Sequence, residues 1–292
     1  KKLEQCSESE LFDQSWERLE EVISMGTGAI EIKSGYGLSL ENELKMLRVI
    51  RKIKEKSPIP VKATFLGAHA FPAKYKNNHK GYIDEIVNEM LPQIAEEGLA
   101  DYVDAFCEKG YFDIEETTRI LEAGVKLSLK PKVHVNQFNS FGAIEACIKN
   151  KALSVDHLEV VTKEDIKALQ NSQTIATLLP GCSLFISIPY APARELIDNN
   201  CLVSLATDYN PGSAPSGNMN LVVSLACFKM NMLPEEAINA ATINAAFAME
   251  VEGELGTIGI GKKASLILTK KISGYSFIPY SFGNNLIEKV FV

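Results

Sequence analysis

The fold class follows from the stretch Gly28-Ala-Ile-Glu-Ile-Lys-Ser34, a short apolar run that ends in small residues. Such a run predicts a buried strand, and this one opens into the loop Ser34-Gly-Tyr-Gly37. A helix is predicted before it, from about Ser9 to Met25, because Ser7 and Glu10 have the spacing of a capping box. Helix and buried strand then alternate along the chain, which predicts the α/β class.

Seven buried strands can be counted in this alternation. After the first, they are predicted at Val61–Leu66, Tyr102–Cys107, Pro131–Val135, Leu153–His157, Thr174–Leu179 and Leu202–Thr207. Strands separated by helices require crossover connections and therefore a parallel sheet. Because polar residues gather at the carboxyl ends of the strands, we predict a (β/α)8 TIM-like barrel, which one further strand would close. An open seven-stranded sheet is the alternative.

Two domains are expected. Residues 1–252 carry the alternation of strands and helices and are predicted to form the partial barrel domain. Residues 253–292 are rich in strand and turn signals but contain no strand–helix–strand unit, so they are predicted to form a separate small β element.

The composition excludes several classes of protein. Of the 292 residues, 46% are hydrophobic and 23% are charged, as in an average globular protein. The net charge of −7 and the scattered lysines and arginines argue against a nucleic-acid partner. No apolar run reaches the roughly 20 residues of a membrane helix, so no membrane partner is expected. The six cysteines are widely spaced, which favours reduced thiols and a cytoplasmic location.

Three of the four histidines fall at or near the last position of a predicted strand: His69, His134 and His157. One such histidine is more often a hydrogen-bonded core residue. Three at one rim, together with Asp208 after the last strand, predict a cluster of metal ligands. The fourth histidine, His79, lies in a polar loop and is expected at the solvated surface.

The segment after the last strand has two interpretations. Asp208 either binds a metal and moves protons, or caps its own loop as an Asx turn, and spacing alone leaves both open. The following Pro211-Gly212-Ser213 either forms a backbone nest for an anion or makes a plain turn.

The loop after the first strand also has two interpretations. Gly35 and Gly37 flank Tyr36, which indicates either a close approach of the backbone to a ligand or an ordinary strand-to-helix turn. Lys33 at the end of the strand either binds a substrate carboxylate or pairs with Glu31.

Six segments in order along the chain resemble one known family, the imidazolonepropionases of histidine degradation within the amidohydrolase superfamily. They are Ile32-Lys-Ser-Gly-Tyr-Gly-Leu38, Phe65-Leu-Gly-Ala-His-Ala70, Lys132-Val-His-Val-Asn-Gln137, Val155-Asp-His-Leu158, Leu179-Pro-Gly181 and Ala206-Thr-Asp-Tyr-Asn-Pro-Gly-Ser213. The first and the last of these are specific to that family, so the resemblance covers nearly the whole chain and is strong.

The resemblance implies a metal-dependent hydrolase that opens the cyclic amide of 4-imidazolone-5-propanoate to give N-formimino-L-glutamate. It places His134 and Asp208 at metal-ligand positions and implies one divalent ion, zinc or iron. His157, Asp208 and Gln137 match catalytic positions. The substrate-contacting positions match Tyr36, His69, Gln137, Asn210, Gly212 and Ser213. A homodimer is also implied.

Further parts of the family pattern bear on the fold. The resemblance implies that a first barrel strand ending in His-x-His precedes this sequence, which contains no such motif. It also implies that residues 253–292 are the remnant of a small β-sandwich, with Ser265 where the family usually has an acidic residue. Two other functions remain open: a truncated or degenerate barrel without catalytic activity, and a different cyclic amidohydrolase.

Overall fold

The computed structural model describes residues 2–292, in two compact units. Unit 1 contains the residues through Glu17 together with Ile30–Val155, and unit 2 contains Arg18–Ala29 together with Asp156–Val292. The chain starts with helix α1 (Lys2–Gln5) and helix α2 (Glu8–Ser24). The predicted capping box precedes α2, since the Ser7 N–H donates to Glu10 Oε2 at 2.9 Å and the Glu10 N–H donates to Ser7 Oγ at 3.2 Å.

Unit 1 contains four parallel strands that alternate with helices. The strands are β1 (Ile30–Lys33), β2 (Val61–Ala68), β3 (Tyr102–Cys107) and β4 (Lys130–Val135). The helices are α3 (Leu40–Lys56), α4 (His79–Glu85), α5 (Leu91–Glu96), α6 (Ile114–Lys126) and α7 (Ala143–Lys149), with a 3-10 turn at Ala73–Tyr75 and a π turn at Ile86–Met90. Each strand pairs in parallel with the next, so their carboxyl ends lie at one edge of the unit.

The helices of unit 1 cover the sheet. Every residue of β3 is buried, as expected for a parallel strand covered on both faces. Helix α3 buries Leu47 and Ile53 completely, and burial of one such side chain stabilises the fold by about 2 kcal/mol. The start of α6 is set by a capping box between Asp113 and Glu116.

Unit 2 continues the alternation. Strand β5 (Ser154–His157) and helix α2 have residues in both units. The later elements are α8 (Lys163–Gln170), β6 (Ile175–Leu178), α9 (Pro180–Phe185), α10 (Ala193–Asp198), β7 (Val203–Leu205), α11 (Met219–Met230), α12 (Pro234–Ala241), α13 (Ile243–Ala248), β8 (Leu266–Thr269), α14 (Phe277–Tyr280) and β9 (Ile287–Phe291). Strand β6 pairs in parallel with β7, whereas β8 and β9 form an antiparallel pair.

All seven strands predicted from the sequence are present among residues 2–292, with ends shifted by up to two residues. Helices α12 and α13 are separate, because the backbone of Thr242 between them departs from helical geometry (φ −120°, ψ −90°). The short helices α9, α10 and α14 were not predicted, since each has fewer than two full turns of periodicity. The antiparallel β8–β9 pair agrees with a tail rich in strands, and a domain boundary at residue 252 stays a prediction.

The described helices include none that combines the length and apolar character required to cross a bilayer.

Candidate active-site residues at the strand ends

The loop after β1 is held by a buried glutamate. Glu43 of α3 has no exposed surface, and its carboxylate accepts hydrogen bonds from the backbone N–H groups of Gly35, Gly37 and Leu38 at 2.7–2.9 Å. Burial raises the pKa of Glu43 above its ordinary value, although the hydrogen bonds from the loop act in the opposite direction. These three bonds leave Tyr36 projecting from the loop with half of its surface exposed.

Both glycines of this loop are required by close contacts. Gly35 has φ +113°, and a Cβ atom there would lie 2.7 Å from the carbonyl oxygen of Leu66. A Cβ atom on Gly37 would lie 2.6 Å from the backbone of Asn42 and of Glu43. The close approach is therefore to the protein's own backbone.

Tyr36 and His69 lie next to each other in unit 1. His69 directly follows β2, and the two rings meet edge to face with their centroids 5.2 Å apart. The structure thus brings together two residues that the sequence predicted for substrate binding. Their roles stay predictions.

His134 is the next-to-last residue of β4 and is oriented by a carboxylate. Its ring nitrogen Nδ1 lies 3.0 Å from Oδ2 of Asp104, a fully buried side chain on β3. Lys33 Nζ donates to the same oxygen at 2.8 Å and lies 3.3 Å from Glu31, so its charge is neutralised within unit 1. When Nδ1–H donates to the Asp104 carboxylate, the other nitrogen of the neutral ring, Nε2, is left to bind a metal.

The loop after β4 is held by a second buried glutamate, Glu108, which follows β3. Its Oε2 accepts hydrogen bonds from the backbone N–H groups of Phe138 at 2.9 Å and Asn139 at 3.3 Å. Gln137, the preceding residue, is buried. Glu108 therefore sets the path of the backbone that carries Gln137.

In unit 2, His157 ends β5 with a strained backbone. Its φ is +88°, a value that residues with a Cβ atom rarely adopt. Such strain is concentrated at functional sites. Burial opposes the charged ring, but the hydrogen bond to Glu159 and the charges of Glu159 and Asp208 outweigh it, so the pKa of His157 is raised above its ordinary value. Nδ1 of His157 lies 3.5 Å from Oε1 of Glu159, which also accepts from Ser183 Oγ at 3.0 Å.

The segment after β7 is capped by Asn210 and not by Asp208. Asn210 Oδ1 accepts from the backbone N–H groups of Gly212 and Ser213, each at 2.8 Å. The possible anion nest is therefore filled by the protein's own amide oxygen. Asp208 Oδ2 accepts from Ser213 Oγ at 3.3 Å, and the backbone of Asp208 has φ +52°. The backbone amides of this loop therefore donate to Asn210, and the role of Asp208 stays a prediction.

Cys182 of α9 was not singled out by its sequence context. Burial, together with the charge of Asp208, raises the pKa of its thiol to about 12. One donor atom from each of Cys182, His157 and Glu159 lies within 4.8 Å of the other two.

Each of the two expected ligands, taken within its own unit, is of a type that fits the divalent metal implied by the sequence resemblance. In unit 1 the ring of His134 is oriented by Asp104 with one nitrogen left for a cation, and in unit 2 the loop amides of Gly212 and Ser213 donate to Asn210 and not to the carboxylate of Asp208. Imidazole and carboxylate are ligands suited to both zinc and iron.

The structure distributes the predicted residues over both units. Unit 1 carries Tyr36, His69, His134 and Gln137, and unit 2 carries His157, Asp208, Asn210, Gly212 and Ser213. The sequence analysis missed the carboxylates that support them, namely Glu43, Asp104, Glu108 and Glu159. Each is buried. For Asp104, Glu108 and Glu159 the signal was a charged residue inside or directly after an apolar stretch, whereas Glu43 follows the polar residues Glu41 and Asn42 and carries no such signal. His79, predicted at the surface, is exposed and stacks on Phe71 with ring centroids 3.7 Å apart.

Comparison with known proteins assigns the family. The model of the amidohydrolase family matches residues 32–292. An imidazolonepropionase of Flavobacterium johnsoniae is 62% identical over 292 residues, which are 100% of this chain and 71% of that protein. The chain belongs to the imidazolonepropionase family. An imidazolonepropionase of Parabacteroides distasonis is 43% identical over 280 residues, covering 96% of this chain and 67% of that protein. As a member of this family, the chain is a hydrolase.

Solved structures confirm the fold. The structure is similar to an adenosine deaminase from Xanthomonas campestris with bound zinc, with a TM-score of 0.71 and 14% identity over 98% of this chain and 69% of that chain. It is similar to a guanine deaminase from C. acetobutylicum with a TM-score of 0.71 and 13% identity, over 96% of this chain and 74% of that chain. The TIM-like barrel class that the sequence predicted for this member of the imidazolonepropionase family is therefore confirmed.

Proposed function

We propose that the chain hydrolyses the cyclic amide of 4-imidazolone-5-propanoate to N-formimino-L-glutamate in histidine degradation. The observation that carries this proposal is the 62% identity to an imidazolonepropionase over the whole chain. The Tyr36–His69 pair supports it, because the loop that carries Tyr36 belongs to a motif specific to the family.

His134 and Asp208 are proposed as ligands of one divalent ion, zinc or iron. Such an ion, when bound, supplies a water of lowered pKa and polarises the amide carbonyl. Asp104 contributes by keeping the ring of His134 in one orientation, and Lys33 neutralises the buried charge of Asp104.

His157 and Asp208 are proposed to move the protons of the reaction. Hydrolysis requires that water add to the ring carbonyl carbon, that the carbon–nitrogen bond break, and that the ring nitrogen leave with a proton. The neutral imidazole of His157 accepts a proton from the water and later returns it to the leaving nitrogen. Glu159 stabilises the charged ring between these two steps through its contact with Nδ1.

The remaining predicted residues are proposed to receive the substrate. Tyr36 offers a hydroxyl, His69 a ring nitrogen and Gln137 a side-chain amide. The polar atoms of Asn210, Gly212 and Ser213 are largely used within their own loop, so we propose that these residues shape the surface against which the substrate lies. A cytoplasmic location and a homodimer remain part of this proposal.

A hydrolysis assay on 4-imidazolone-5-propanoate, with the metal content measured alongside, tests the function. His157→Asn should lower turnover by a factor of about 100 or more, whereas the matched variant His79→Asn should leave it unchanged. Absence of turnover in a metal-loaded, longer form that also carries a His-x-His segment would overturn the assignment.

A further inference from the structure

We propose that His157, Glu159 and Cys182 form a second metal site, one that takes a thiophilic divalent cation such as Zn²⁺ or Cd²⁺. The proposed metal ligands His134 and Asp208 are not part of this group. Its three members come from the end of β5, the segment after it, and helix α9. One donor atom from each lies within 4.8 Å of the other two, and all three residues are buried.

The group has an unfilled polar position. Only 1% of the Glu159 side chain is exposed, and its Oε2 has no hydrogen-bond partner among the residues that the structure describes. Leaving a buried carboxylate oxygen without a partner is unfavourable, because the oxygen has lost its hydration without gaining a hydrogen bond. The other oxygen, Oε1, accepts from Ser183 Oγ at 3.0 Å and has only a long contact, 3.5 Å, with His157 Nδ1. A cation that shares the Glu159 carboxylate would satisfy the open oxygen.

The ligand chemistry selects the cation. A thiolate, an imidazole and a carboxylate are a ligand set that zinc binds, and a thiolate excludes magnesium and calcium as the preferred ions. Binding displaces the thiol proton of Cys182 to solvent and leaves two negative ligands against a charge of +2, so the filled site is neutral. Any proton on the coordinating nitrogen of His157 is released together with the thiol proton, because a metal ligand must be deprotonated.

Occupation of this site has a consequence for His157. A nitrogen that coordinates a cation no longer accepts a proton, so a filled second site blocks the proton transfer assigned to His157. Excess zinc is therefore expected to inhibit hydrolysis. This inhibitory effect rests on the proposed function, whereas the existence of the site does not.

Titration of the chelator-treated chain with Cd²⁺ tests the site directly, because a cadmium thiolate has an ultraviolet charge-transfer band that a site of imidazole and carboxylate lacks. We expect the band to saturate at one equivalent of Cd²⁺ and to disappear when Zn²⁺ displaces the cadmium. The Cys182→Ser variant should lose the band, and the Glu159→Gln variant should bind this Cd²⁺ at least tenfold more weakly. Cys201→Ser, which changes another buried cysteine of unit 2, should keep it.

The outcomes separate the site from the catalytic proposal. A full band in Cys182→Ser, or unchanged affinity in a folded Glu159→Gln protein, would overturn the second site. Loss of the band in Cys182→Ser together with relief of zinc inhibition would support both the site and its effect on His157. If the wild-type protein shows no hydrolysis at all, the cadmium band still decides whether the site exists.

Discussion

Nδ1 of His134 lies 3.0 Å from Oδ2 of Asp104, on the neighbouring strand of unit 1. Phe106 is the residue in register with His134, so Asp104 lies two residues earlier on β3. Residues two apart on a strand point to the same face, so the side chains of Asp104 and His134 lie on the same face of the sheet. The carboxylate fixes which ring nitrogen carries the proton and so which one is left for a metal.

Asp104→Asn should therefore weaken metal binding by about 10- to 100-fold, because loss of such a supporting carboxylate typically has this effect. Metal content after dialysis against a graded chelator series measures the change. Asp198→Asn, at an exposed position in α10, is the control and should retain the wild-type affinity. Equal affinity in the two variants would show that Asp104 does not support a metal ligand.

Gly37→Ala should destabilise the protein by about 2 kcal/mol, because the new Cβ atom would lie 2.6 Å from the backbone of α3 and force the Tyr36 loop away from Glu43. Chemical denaturation measures the free energy of unfolding. Gly253→Ala is the matched control, since no atom lies within 4 Å of the position of its Cβ and the substitution meets open space. A loss as large in Gly253→Ala would remove the steric explanation.

Asp208→Asn should lower turnover by orders of magnitude with little change in Tm, because the backbone amides of the loop donate to Asn210 and not to Asp208. Asn210→Ala should instead lower Tm, since the backbone N–H groups of Gly212 and Ser213 lose their acceptor. Kinetics and thermal unfolding of the two variants, compared side by side, check this. If Asp208→Asn lost stability and kept its activity, Asp208 would be a structural residue.

Glu159→Gln should lower the pKa of His157, because the protonated ring loses the hydrogen bond and the charge that hold its pKa above the ordinary value. A raised pKa stabilises the folded protein at low pH, and this stabilisation is lost as pH rises through the folded-state pKa. In the variant that loss should occur at lower pH. An NMR titration of the metal-free protein follows the ring of His157, with the His79 resonances as an internal control. An unchanged midpoint for His157 would show that Glu159 does not act on it.

Much of the fold was predictable because its signals are local. The Ser7–Glu10 capping box involves residues three apart, and the apolar run before Ser34 identifies β1 without reference to any other part of the chain. The positions of His69, His134 and His157 at strand ends follow from the same runs. These residues were therefore found from the sequence, and their resemblance to one family supplied the reaction.

The supporting carboxylates and the choice between alternatives depended on the tertiary structure. Asp104 and His134 are 30 residues apart and meet only because β3 and β4 pair in parallel with a particular register. Asp208 and Asn210 have equally suitable side chains for a turn, and only the path of the backbone decides that the oxygen of Asn210 reaches the two amides. The sequence shows which polar groups are available and how far apart they lie along the chain. A hydrogen bond also requires a particular distance and direction between the two groups, and these are set only when the strands have paired and the loops have folded.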